Sequence, residues 1–298
     1  MDFSRALSEQ FIDELNSLHL NVNSWWHKMV EDDDVFILIR KNRVHVLVNG
    51  GLLLQVEYPR GKLVCKTHEE FLSLRSKDNS YVTLHKDKTS QGRRVQGLKG
   101  LVEHYEKVKR RIKLFTGREK QVVQNLGLCI NDVIDLEVGL EGEKKEGASR
   151  KGAQRIDMAG ISNDGKLVFF EVKLFDNSEI RSKGEPKVVG QLKKYEKLLS
   201  RYRRQILEGY KEQFETYKKL EGSFFERKNH RIGTIETLDL YPKARLIITG
   251  FDDSQGKSLL PIIEKGIAKG IGWEDKTHDL IAAGNHKNIK KERLFKGI

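Results

Sequence analysis

Cysteine and proline are scarce, with two and four in 298 residues. Cys65 and Cys129 fall in separate expected elements and have no paired spacing to each other or to a histidine. That excludes a disulfide framework and a cysteine–histidine zinc site, and both are expected as core residues in a reducing compartment. No run approaches the roughly twenty apolar residues that a membrane helix needs. The opening MDFSRALSEQ also lacks the basic-then-apolar layout of a secretion signal, so a soluble, cytoplasmic protein is expected. What is abundant is positive charge: 55 lysines and arginines face 43 aspartates and glutamates, a net +12. Such a surplus favours a polyanionic partner, because neutralising phosphates releases counterions. It suits RNA, ribosomes or anionic membranes as well as DNA, so it only weights what motifs raise.

The length suggests two domains, each able to bury a core. Phe3, Leu7, Phe11, Leu15 and Leu18 have helical spacing over residues 3 to 20. Short apolar runs then begin at Val35, Val44, Leu52 and Lys62, separated by Asn49-Gly50-Gly51 and Pro59-Arg60-Gly61, which predicts an antiparallel meander. A polar loop over residues 86 to 100, a basic helix over 101 to 115 and a stop at Gly117 put a domain boundary there. Residues 1–115 are therefore expected as a smaller α+β domain with a recognition, partner or sensor role. Residues 116–298 are expected as an α/β domain with a basic C-terminal extension. In it the pattern predicts a helix from Arg118, a strand over 133 to 138, a Gly- and Lys-rich loop through Gly152, and a hairpin over 155 to 175. One long helix from Val188 carries the stripe Leu192, Tyr195, Leu199, Tyr202, Ile206, Tyr210, Phe214 and Tyr217. A strand over 244 to 250 and a helix over 259 to 268 follow.

The chemistry concentrates in the hairpin. LVFFEVKLF, residues 167 to 175, is apolar enough for a strand covered on both faces, yet it holds Glu171 and Lys173. Burying an ionised group costs several kcal/mol unless it is paired or binds a metal. Two apart on a strand, both side chains share one face while Val172 takes the other. Asn163-Asp164-Gly165 suits a three-residue hairpin loop with glycine in the left-handed position. Pairing symmetric about Asp164 then sets Asp157 opposite Glu171, with Cβ atoms about 5 Å apart. Facing carboxylates destabilise a sheet unless a divalent cation bridges them, and hard oxygen ligands suit magnesium or manganese. Lys173 beside them would neutralise charge, act on an attacking water or stabilise a phosphorane-like transition state.

Arg155-Ile156-Asp157, Glu171-Val172-Lys173 and the later Gln191-Leu-Lys-Lys-Tyr195 together resemble the PD-(D/E)xK nuclease superfamily, and the Q-x-x-x-Y spacing resembles its RecB-like branch. The resemblance covers about residues 118 to 199. It implies a restriction-endonuclease-like core, a mixed sheet flanked by helices, that hydrolyses DNA phosphodiesters, with RNA the less favoured substrate. It implies that Asp157 and Glu171 bind Mg2+ or Mn2+ with help from the Val172 carbonyl, and that Lys173 is catalytic. It further implies that Gln191 and Tyr195 belong to the site. A helical acid usual in the family corresponds to Glu119, with Glu137 and Glu141 as competitors. The family's proline before the aspartate is Ile156 here. A second copy of the chain, or an ATPase or sensor protein, are the protein partners the family suggests. DNA repair and defence against foreign DNA are the roles it suggests, with a lean to defence.

The basic face Lys193, Lys194, Lys197, Arg201, Arg203 and Arg204 would hold backbone phosphates beside such a site; as a plain helix surface it would be solvated. The alternative for the whole chain is a nucleic-acid-binding or partner-dependent subunit that keeps the fold and cuts nothing alone. Gly250-Phe-Asp-Asp-Ser-Gln-Gly256-Lys257-Ser258 imitates a P-loop, but five residues separate its glycines and two aspartates would repel phosphate. Trp25-Trp26 is expected to pack at a helix end in preference to stacking on bases.

Overall fold

Asn49 and Gly50 both take left-handed backbone angles, φ 50° and 77°, as a two-residue hairpin between right-twisted strands requires. They join β2 (Arg43–Val48) to β3 (Gly51–Glu57) in an antiparallel sheet that also contains β1 (Val35–Arg40), β4 (Val64–His68) and β5 (Tyr81–Leu84), in sequential order. The expected meander is therefore present, with β5 as an added strand. The structure is a computed structural model that describes residues 3–72, 81–85, 97–140, 154–182, 184–273 and 278–298. Most of the polar loop expected over 86 to 100, the Gly- and Lys-rich loop and Glu141 lie outside the described residues. Among the described residues the chain is mixed α/β, with two five-stranded sheets and eleven α-helices. No helix among them is long and apolar enough to cross a membrane.

Two compact units divide the chain differently from the expected cut at residue 115. One comprises Ser4–Leu128 and Glu208–Gly233; the other comprises Met1–Phe3, Cys129–Leu207 and Thr234–Ile298. In the first unit, α1 (Glu9–His19) is shorter than its apolar pattern, and Ser24 caps α2 (Trp25–Val30) by accepting the His27 N–H. The basic helix is two helices, α3 (Leu98–Glu103) and α4 (Tyr105–Phe115), and α5 (Arg118–Cys129) follows. Gln124 explains why α5 stays with this unit. Its buried amide accepts the Gly50 N–H at 2.5 Å and donates to the carbonyls of Asp34 and Leu47 at 2.8 and 3.2 Å. Cys65 is buried as expected, but Cys129, at the end of α5, is exposed.

The stripe read as one helix is two, α6 (Lys187–Arg201) and α7 (Arg203–Lys219), with α8 (Ser223–Ile232) after them. Its two halves serve different units, but the crossover falls between Leu207 and Glu208, inside α7, beyond the helix break at Tyr202. Leu192, Tyr195 and Leu199 are buried in the second unit. Tyr217 and Phe224–Phe225 pack in the first unit with Phe36 and Trp26, ring centroids 5.3 to 6.3 Å apart. Trp26 is fully buried and Trp25 nearly so, as a packing role for the pair requires.

The second unit's sheet runs β10-β9-β8-β7-β6, from β6 (Val133–Leu140), β7 (Gln154–Ile161), β8 (Lys166–Leu174), β9 (Asp239–Thr249) and β10 (Leu280–Ala283). β6, β7 and β8 pair antiparallel, whereas β9 lies parallel to β8 and β10 parallel to β9, so the sheet is mixed. β9 starts earlier than expected. The register to β8 shifts between Leu167 and Phe169, where Pro242 withholds an N–H from the ladder. The expected helix after β9 is α9 (Asp253–Ser258) and α10 (Leu260–Ile271). The P-loop lookalike is a capping box, in which the Asp252 carboxylate itself accepts the Gln255 N–H at 2.7 Å at the start of α9. The basic C-terminal stretch, including α11 (Lys291–Leu294), is anchored to the core by buried Ile289 and Leu294. Buried Arg245 donates to the carbonyls of Leu294 at 2.6 Å and Lys296 at 2.8 Å, and Phe295 packs on Phe170 from the face opposite Glu171.

The β7–β8 turn matches its expected geometry: Gly165 has φ 75°, and Ser162 and Lys166 close the loop with a 2.9 Å hydrogen bond. A Cβ at Gly165 would fall 1.9 Å from the Thr237 carbonyl oxygen. Gly165→Ala is therefore expected to lower stability by roughly 2–4 kcal/mol, from left-handed strain plus forced repacking, read as a lower urea midpoint. A midpoint equal to wild type would show that the turn relaxes freely.

Candidate active site

β7 and β8 pair Met158 with Phe170, Ala159 with Phe169, Gly160 with Val168 and Ile161 with Leu167, the register set by symmetry about Asp164. The ladder ends one step before Asp157 and Glu171. Alternation from the Ser162–Lys166 closure makes Ile156 and Val172 the next pair due to exchange hydrogen bonds. Instead, the Val172 N–H donates to Asp157 Oδ2 at 2.8 Å. A carboxylate has replaced the backbone carbonyl, and the strands part at this point. By strand alternation Asp157, Glu171 and Lys173 share the face of Ala159 and Phe169.

Glu171 is 1% exposed and Lys173 5%, whereas Asp157 is half-buried. A buried carboxylate needs partners for both oxygens, and Glu171 has them. Its Oε1 lies 2.8 Å from Lys173 Nζ and accepts from Gln191 Nε2 at 2.7 Å. Its Oε2 is 3.1 Å from the Tyr195 hydroxyl. That hydroxyl accepts from Gln191 at 2.6 Å, and its one proton is shared between Glu171 and the Arg155 carbonyl, 2.5 Å away. Gln191 and Tyr195, one turn apart on α6, thus reach the sheet together and tie β7 to β8 where their ladder has stopped. Burial, reinforced by the charge of Glu171, pushes the Tyr195 hydroxyl well above the ordinary tyrosine range.

Lys173 has a second partner that the sequence pattern did not reveal: Glu179 Oε2, 2.8 Å from Nζ. The only local signal is Asn177, whose side-chain oxygen accepts the Glu179 N–H at 2.9 Å and turns the chain back after β8. The other expected residues are placed as follows. Glu119 is in the first turn of α5, in the other unit. Glu137, on β6, has a left-handed φ of 52° and lies 3.5 Å from Arg155. Lys193, Lys194, Lys197, Arg201 and Arg204 are exposed. Lys193, Lys197 and Arg201 lie on the side of α6 opposite its sheet-facing Leu192, Tyr195 and Leu199, so they are not gathered with Glu171. They line a shallow depression of about 450 Å³ with Glu196 and Ser200. Lys193 pairs with Glu185 at 3.3 Å, and Arg203 pairs with Asp239.

The donors are oxygens alone, a chemistry that suits magnesium or manganese. Among the described residues no group of three or more histidines, cysteines or acids stands ready to hold a metal ion. Two carboxylates with water completing the shell is nevertheless an ordinary arrangement for magnesium. No family model matches the chain, and no curated protein or solved structure matches it.

Tyr195→Phe removes a fully buried hydroxyl and is expected to cost about 1–3 kcal/mol near neutral pH. Because folding raises the hydroxyl pKa, its stabilisation is complete below pH about 10, the unfolded value, and is lost as pH climbs toward the folded one. The stability difference between wild type and Tyr195→Phe should therefore shrink by up to about 1.4 kcal/mol per pH unit above 10. A difference constant from pH 9 to 11 would contradict the buried, neutral phenol.

Proposed function

We propose that the chain is a metal-dependent nuclease that hydrolyses DNA phosphodiester bonds at Asp157, Glu171 and Lys173, on a restriction-endonuclease-like core. The observation that carries this reading is the near-complete burial of Glu171 and Lys173 on one sheet face, beside Asp157, where the β7–β8 ladder ends. A cross-strand ion network on a half-exposed sheet would keep its charges in water. Here they sit in an apolar strand at a strand parting, and natural proteins accept that cost mainly where chemistry needs it.

Asp157, Glu171 and the Val172 carbonyl are the groups that would hold Mg2+ or Mn2+. Such an ion, when bound, supplies Lewis-acid polarisation of a phosphoryl oxygen. The chain's own groups divide the remaining work. Gln191 and Tyr195 fix both Glu171 oxygens, so the carboxylate cannot rotate away. The Lys173 ammonium, held at Glu171, orients a water or stabilises negative charge growing on the phosphoryl group. The exposed cations of α6 would take phosphates along the strand without reading bases.

Wild type should cut DNA in magnesium or manganese and not in EDTA, and folded Lys173→Ala should lose at least about 100-fold in kcat. Linear, circular and single-stranded substrates would separate end-dependent from internal cutting. Undiminished cutting by the variant would refute the site; binding without cutting by wild type would favour a binding or partner-dependent subunit. Separately, replacing Lys193, Lys197 and Arg201 by alanine should lower the slope of log affinity against log salt by about 2–3. An unchanged slope would mark that face as ordinary solvated surface.

A further inference from the structure

Lysine on a strand is a poorly placed catalytic group unless something holds it. Its ammonium rides on four rotatable methylenes, and a single ion pair leaves it free to swing about the partner. Lys173 is only 5% exposed, and its Nζ stands between two carboxylates, Glu171 Oε1 and Glu179 Oε2, each 2.8 Å away. Glu171 is two residues earlier on the same strand and lies on the buried side. Glu179 arrives from the chain beyond β8, and its side chain is 42% exposed.

Glu179 is itself firmly placed. Phe175 N–H bonds the Thr249 carbonyl at 2.7 Å and holds the end of β8 to β9. Asn177 N–H then bonds the Leu174 carbonyl at 2.9 Å, and the Asn177 side chain accepts the Glu179 N–H at 2.9 Å. The next residue, Ile180, is 1% exposed, and the Glu179 carbonyl accepts the Val188 N–H at the start of α6 at 3.2 Å. The backbone on both sides of Glu179 is thus tied to β8 and to α6, the elements that carry the rest of the site. A surface acid that met Lys173 by chance would need none of these ties.

We infer that Glu179 is a positioning residue for Lys173, holding the ammonium from the solvent side while Glu171 holds it from the core. The inference rests on the reading of Lys173 as the group that acts at the phosphoryl centre. Glu179 touches no reacting atom in this scheme. Its effect passes through the lysine, and a displacement of about 1 Å at such a group is enough to cost up to 100-fold in rate.

The test compares the full chain with Glu179→Ala and Glu179→Gln in steady-state DNA cleavage in magnesium. Glu179→Ala should lower kcat by roughly 10- to 100-fold with KM within about twofold, and Glu179→Gln, which keeps an oxygen acceptor, should recover part of the loss. A second readout needs no activity: the rate at which an acetylating N-hydroxysuccinimide ester modifies Lys173, followed by mass spectrometry with exposed Lys194 as internal reference. Freed from Glu179, Lys173 should react several-fold faster relative to Lys194. An unchanged kcat in Glu179→Ala, with Lys173→Ala inactive, would overturn the inference and leave the nuclease reading intact. A raised kcat would overturn it too, by showing that Glu179 restrains the lysine. If wild type cuts nothing, the catalytic role falls with the nuclease reading, and the labelling rates alone decide whether Glu179 holds Lys173. Equal labelling in all three proteins would overturn the clamp itself.

Discussion

The carboxylate of Glu171 is withdrawn from water in the middle of an apolar strand, and much of the second unit is arranged around that fact. A buried ionised group stripped of one partner costs about 3–5 kcal/mol, which is a large share of an ordinary folding free energy. Its partners come from two elements, Lys173 on its own strand and Gln191 and Tyr195 on α6, and the Tyr195 hydroxyl reaches a third, β7, at the Arg155 carbonyl. Docking α6 on the sheet and closing β7 onto β8 are therefore the same event as satisfying this one acid. The second carboxylate extends the pattern, since Asp157 spends an oxygen on the Val172 N–H where a ladder bond would have formed.

What was legible in the sequence was what local chemistry decides. Asn49-Gly50 and Asn163-Asp164-Gly165 dictate turns, turns dictate register, and register alone puts Asp157 and Glu171 on a common face. Gln191 and Tyr195 were legible through the resemblance of their Q-x-x-x-Y spacing to the nuclease family's, not from the spacing by itself. The misreadings arose where distant packing decides. Nothing within Leu192 to Tyr217 says that its helix breaks at Tyr202 and that its stripe passes from one unit to the other after Leu207. Nothing in residues 118 to 128 says that Gln124 will plug the turns beside β1 and β2. β10 has four residues, too few for periodicity to register, and the basic character of the last segment concealed that Arg245 would clasp its carbonyls. Glu179 was hidden for a related reason: an acid in a turn reads as solvated until the chain's path past β8 is known.

Charge plays two separate parts in the second unit. Inside, buried cations stand beside acids, as with Arg245 beside Asp279 and Lys173 between two glutamates. Outside, along α6, Lys193, Lys194, Lys197 and Arg201 are exposed to water. The inner set is sensitive to single substitutions because each loss strands a partner. The outer set contributes little to folding, since exposed pairs are worth about 0–1 kcal/mol.

The division of the chain into interleaved units has a consequence for how the molecule comes into being. Residues 208–233 complete the hydrophobic packing around Phe36 and Trp26, yet they are synthesised after both strands that bear Asp157 and Glu171. The amino-terminal sheet thus waits, its aromatic face uncovered, while more than seventy residues of the other unit leave the ribosome between Leu128 and Glu208. That other unit in turn lacks β9, β10 and the segment clasped by Arg245 until after the first is sealed. Each half therefore waits for a segment of the other, and until residues 208–233 emerge Trp26 and Phe36 lack the aromatic neighbours that pack on them.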